Sequence, residues 1–96
     1  MFLIRISYKK PLEIIDQYLV AHRAFLDVAY KNDYFIASGP TIPRTGGVII
    51  SQLNDRKQLE TILKDDPFKI NNLADYEIIE FTPVKYHPDF SKFVGE

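Results

Sequence analysis

Residues 11–32 read PLEIIDQYLVAHRAFLDVAYKN. Leu12, Ile15, Leu19, His22, Leu26 and Ala29 recur at alternating steps of three and four, the spacing of a core-facing stripe on an amphipathic helix. Pro11 suits the first turn, where its missing N–H costs nothing, and Asn32-Asp33 closes the element. The pattern predicts one helix over residues 11–31. One member of the stripe is out of character: His22 puts a titratable ring where the seam asks for a leucine.

Outward from this helix the rest of the chain falls into place. Before it, residues 2–8 alternate in part, with Phe2, Ile4 and Ile6 on one side, and read as a first strand. After it, residues 34–38 are aromatic and β-rich and read as a second strand. GPTIPRTGG (39–47) has the composition of a loop, and VIISQL (48–53) is a third strand, antiparallel to the second. Asn54 or Asp55 can cap a second helix over 56–64, whose apolar face is Leu59, Ile62 and Leu63. Pro67 pushes the residue before it out of the helical region, so Asp66 ends that helix or caps a new turn. KINNLA (69–74) reads as an irregular connection and 76–81 as a fourth strand.

The order β-α-β-β-α-β predicts an α+β fold of the ferredoxin-like type, an antiparallel sheet with both helices on one face. The other face is bare unless something covers it. Apolar residues stand on both parities, as with Ile78 against Ile79 and Val48 against Ile49. A sheet that is apolar on both sides predicts a homodimer with two-fold symmetry, sheet against sheet. Ninety-six residues are enough for one domain, placed at 1–86, with an aromatic tail over 87–96.

Composition narrows the function. The formal net charge is -1 and no basic block occurs, which argues against nucleic acid as a partner. No cysteine is present, so disulfides and thiolate metal sites are excluded; this suits a cytoplasmic, reducing setting. The apolar run at the N-terminus lacks a basic leader and is too short for a signal peptide or a membrane span.

Few residues can carry chemistry. His22 is either a core histidine held neutral by a local acceptor or a ring lining a pocket between helix and sheet. In the second case it can accept or donate a proton. Asp16 and Asp27 share its helix but not the adjacent spacing of three or four. The pair Asp65-Asp66 follows the second helix, which packs beside the first, so DDPF (65–68) is the best non-local source of a carboxylate. Asp66 before Pro67 also suits an ordinary helix cap. Ser38 and Gly39, where the second strand ends, offer a hydroxyl and an open backbone, although the same residues favour plain turns. Arg44 beside Gly46-Gly47 could hold an anion, or simply be solvated; the loop fits neither phosphate-binding glycine fingerprint. His87 lies outside the expected core, and two histidines so far apart give little support for a metal.

Three elements in order, AHRAFL (21–26), SGP (38–40) and DDPF (65–68), resemble the YCII-related family over roughly residues 1–86. The resemblance implies a ferredoxin-like fold that dimerises into an α+β barrel. It also implies a candidate active site on a histidine–aspartate pair, here His22 and Asp66, with Ser38 at the pocket edge. Family assignments of reaction resemble cofactor-free lyase chemistry, such as dehydrohalogenation of a hydroxylated ring. The loop PTIPRTGG (40–47) is short beside many relatives, and such loops shape the pocket mouth.

Two functions follow. In one, an enzyme uses His22 as acid or base on a small hydroxylated aromatic or anionic molecule. Asp66 orients the ring, Ser38 and Gly39 face the substrate, Arg44 contacts it, and Phe35 and Phe68 form apolar walls; no cofactor is required. In the other, the same pocket binds or senses a small metabolite without turnover. Haem bound through His22 is a weaker third option, since no further haem motif accompanies the ring.

Overall fold

The computed structural model describes residues 1–94. The chain runs β1 (Phe2–Tyr8), α1 (Leu12–Gln17), α2 (Leu19–Lys31), β2 (Phe35–Pro40), β3 (Gly46–Ser51), α3 (Arg56–Leu63), α4 (Pro67–Ile70) and β4 (Ala74–Glu80), then a 3₁₀ turn over Pro88–Phe93. The strands form one sheet in the order β2-β3-β1-β4, and each neighbouring pair is antiparallel. This is the ferredoxin-like α+β arrangement expected from the order of elements.

Alternation along the strands decides what reaches the helices. Phe2, Ile4 and Ile6 of β1 and Ile49 of β3 are buried in one core with Ile15, Ala29, Leu59, Leu63 and Phe68 from the helical layer. On the opposite face, cross-strand pairing lines up Ala37, Ile50, Leu3 and Ile79 as an apolar row across all four strands. The next row is mixed. Val48 stands beside Arg5, and Arg5 pairs with Glu77 at 2.9 Å. The outer face is thus apolar at one end and charged at the other, narrower than the reading of two fully apolar faces.

The single helix expected over 11–31 is two segments that meet at Tyr18. The Tyr18 amide donates to the Ile15 carbonyl, only three residues back (3.0 Å), and ordinary helical bonding resumes from His22 N–H to the Tyr18 carbonyl (2.9 Å). The stripe is re-sorted accordingly. Ile15, His22 and Ala29 are buried, Leu19 and Leu26 are half-buried, and Leu12 is 41% exposed before the break.

Two connections also differ from expectation. β2 continues through Gly39 and Pro40 and β3 begins at Gly46, so the hairpin loop is only 41–45. Gly46 makes this possible, because a Cβ there would collide with the Ile6 carbonyl oxygen of β1. Asp66 caps a new turn, one of the two expected outcomes, and residues 67–70 wind into α4, taking in the first two residues of the stretch 69–74 expected to be irregular. Asn72 then adopts a left-handed conformation (φ 54°) that turns the chain into β4, which starts at Ala74.

In the tail, His87 is exposed, and Phe90 and Phe93 pack on each other with centroids 5.4 Å apart. The last two tail residues, 95 and 96, lie outside the described residues. Among the described residues, no helix is long and apolar enough to cross a membrane.

Candidate active site

DDPF organises the site. Asp66 caps α4: its Oδ1 accepts the Phe68 N–H (3.0 Å), and Pro67 occupies the first helical turn. The same Oδ1 lies 2.8 Å from His22 Nδ1, delivered by α2, and Oδ2 accepts the Tyr76 hydroxyl from β4. The carboxylate is fully buried. Cap and histidine contact are therefore made by one side chain.

These partners assign the histidine tautomer. With Oδ1 accepting an amide and Oδ2 a phenol, Asp66 serves as acceptor, so His22 Nδ1 carries the proton. In the neutral tautomer this leaves Nε2 as the lone-pair nitrogen. The ring is also gripped by its face: Phe68 stacks on it at 4.0 Å and 6° between planes. One short segment thus fixes the imidazole at its edge and on its face.

His22 borders a cavity of about 510 Å³. Ile6, Leu19, Leu26, Ile49 and Phe68 supply apolar walls, and Tyr8, His22, Arg23, Ser38 and Arg44 supply polar groups. The cavity explains why Leu19 and Leu26, on either side of His22 along α2, stay half-buried. Ser38 Oγ is 2.5 Å from the Tyr30 hydroxyl. Gly39 also borders the cavity, and no atom lies within 4 Å of where its Cβ would stand. Arg44 is not a loosely solvated side chain. It bonds Asp16 at 2.6 Å and lies over the Tyr8 ring at 5.9 Å. Asp16 first, and then the Tyr8 hydroxyl, raise the guanidinium pKa above its ordinary value.

The structure thus gathers His22, Ser38, Gly39, Arg44 and Phe68 around one cavity, with Asp66 behind His22. Phe35, expected in the wall, is instead buried in the core, edge-on to Phe25 (6.1 Å) and Tyr30 (6.4 Å). Tyr76, Tyr30 and Arg23 escaped the sequence reading. For Tyr76 a signal was present. It alternates with Ala74 and Ile78 on the inward parity of β4, and an inward phenol needs a partner.

Tyr76 has a measurable consequence. Burial first, and the Asp66 charge second, push its pKa far above the ordinary tyrosine range. A phenol in the unfolded chain ionises near ~10, while the folded one keeps its proton. The stabilisation is therefore complete below about pH 10 and is lost as pH rises, with a slope of at most ~1.4 kcal/mol per pH unit. Urea denaturation of wild type and Tyr76→Phe from pH 8 to 11 should show the wild-type advantage shrinking above about pH 10. A constant difference would mean that Tyr76 ionises freely in the folded protein.

Comparison with known proteins agrees with the fold. No curated protein matches the chain. Among solved structures, the chain is similar to 5-chloro-2-hydroxyhydroquinone dehydrochlorinase from Burkholderia phenoliruptrix AC1100, solved with 2,5-dihydroxybenzoquinone. The TM-score is 0.70 at 18% identity, over 84% of this chain and 93% of that one. The family model of the YCII-related domain matches residues 1–82, from β1 to just beyond β4, and the chain belongs to that family.

Proposed function

We propose that the protein is a cofactor-independent lyase, acting on a small hydroxylated aromatic or anionic metabolite with His22 as the base. The observation that carries this reading is the His22 Nδ1–Asp66 Oδ1 contact of 2.8 Å at the wall of a cavity. His22 Nε2 takes a proton from the substrate hydroxyl, and Asp66 stabilises the imidazolium that forms. Ser38 donates to the developing oxyanion. The electron pair left on oxygen moves into the ring, and the carbon that bears the leaving group takes a proton back from the imidazolium, giving the keto form; His22 then removes the proton of a second hydroxyl, and that electron pair expels the leaving group as an anion from the now saturated carbon. Proton and leaving group depart together as HX, so no oxidant enters the balance. The dehydrochlorinase named above acts on a ring of this class, which supports the choice of substrate.

The test is a screen of halogenated phenols, hydroxyquinols and lactones, following release of halide or ring opening. Turnover by wild type that is absent in His22→Gln supports the lyase. Binding across the panel with no turnover would favour a non-catalytic binding or sensing protein instead.

We also propose that two copies pair through the outer sheet face. The row Ala37, Ile50, Leu3 and Ile79 needs a cover, and a two-fold axis would set it against its own copy. Mass measurement at micromolar concentration should give a dimer for wild type and a monomer for Ile50→Lys. A monomeric wild type would remove the proposal.

A further inference from the structure

The charges around the cavity are all of one sign. Its lining includes two guanidiniums, Arg23 and Arg44, and no carboxylate. Asp66 stands behind His22 with every oxygen occupied, and Asp16 is bound to Arg44. The two arginines are not equivalent. Arg44 comes from the hairpin loop and is committed to Asp16 and the Tyr8 ring. Arg23 follows His22 on α2 and makes no ion pair among the described residues.

We propose that Arg23 is a specificity-determining residue that holds a carboxylate on the substrate, so that the molecule taken by this cavity is a hydroxylated aromatic acid rather than a neutral phenol. This rests on the lyase reading for the hydroxyl end of the ligand but concerns the other end. A guanidinium offers a planar fork of donors that matches a carboxylate. The apolar walls bury the ring, and water leaves with it, which strengthens the ion pair over a solvated one. Arg44 has its charge largely offset by Asp16 at 2.6 Å and stays over Tyr8, which leaves Arg23 as the cation of the lining without a carboxylate partner. Arg23 follows the base on α2, and successive helix positions diverge by roughly 100°, so the two side chains border the cavity from different angles and meet different parts of one ligand. A ligand gripped at its carboxylate is thereby oriented with its ring against Phe68.

Calorimetry with 2,5-dihydroxybenzoate and with hydroquinone, which carries the same two hydroxyls and no charge, tests the idea. Wild type should bind the acid about tenfold more tightly, the scale of one good charge-assisted pair. Arg23→Gln should bring the two affinities within about twofold, and Arg23→Lys should restore part of the preference. Lys31→Gln, which removes a cation from the far end of the same helix, should leave the ratio unchanged. Equal binding by wild type, an unchanged ratio in Arg23→Gln, or no binding of either compound would overturn the proposal. The same titration of His22→Gln separates this from the lyase. If that variant keeps its preference for the acid and the screen shows no turnover by wild type, the anion site stands and the lyase falls. If turnover depends on His22 while the preference is absent, the reverse holds.

Discussion

In the His22→Gln protein, turnover of a substrate found by the screen is expected to fall about 10²–10⁴-fold, the range of a lost general base. Glutamine keeps a polar group of similar size against Phe68 and can still donate to Asp66, so the fold should survive and binding should change little. The loss therefore belongs in kcat rather than KM. Asp66→Asn should also lower kcat, for a different reason. Its amide oxygen can accept from both the Phe68 amide and His22 Nδ1, and its NH₂ group can donate to Tyr76 if the phenol turns to accept. Geometry then persists while the charge that stabilises the imidazolium is gone. Steady-state kinetics on both variants checks the pair. An active His22→Gln enzyme would leave the imidazole with no chemical role.

Asp66→Ala is expected to cost about 3–5 kcal/mol of stability, read from urea denaturation. The side chain is fully buried and takes hydrogen bonds from three elements: α2 through His22, α4 through the Phe68 amide, and β4 through Tyr76. Alanine leaves three donors without an acceptor in a dry environment. By contrast, Asp55 caps α3 from an exposed position with a single bond to the Lys57 amide. Its replacement by alanine is a reference for the worth of a cap alone, ~1 kcal/mol. If both substitutions cost the same, the buried network contributes nothing beyond the cap.

Much of this was legible in the chain, and the reasons differ by element. The first strand and the stripe at Ile15, His22 and Ala29 follow from periodicity, because the core selects one face of each element. Asp66 stood out because Pro67 forces an extended residue before it, and an extended aspartate at that point has backbone amides to accept. A histidine in an apolar seam needs a polar partner, and the topology brings that carboxylate beside it. Other features left no local mark. The tightened turn at Tyr18 has neither proline nor glycine, so nothing in the composition separates α1 from α2. The short loop over 41–45 looked longer because Gly46 and Pro40 are turn formers elsewhere. Here they serve the strands, one by its close approach to β1. Arg23 and Tyr30 lie off the stripe, and only the cavity and the Ser38 hydroxyl give them meaning.

The four residues of α4 carry more than their length suggests. A helix so short has almost no stability of its own, and it is held wound by the very carboxylate and phenyl ring that seat the imidazole. Fraying of that single turn would release the amide, the aromatic plate and the anion in one event, so the seating of the His22 ring and local order after Asp66 rise and fall together. The protein has in effect tied the orientation of this ring to the least autonomous piece of its architecture.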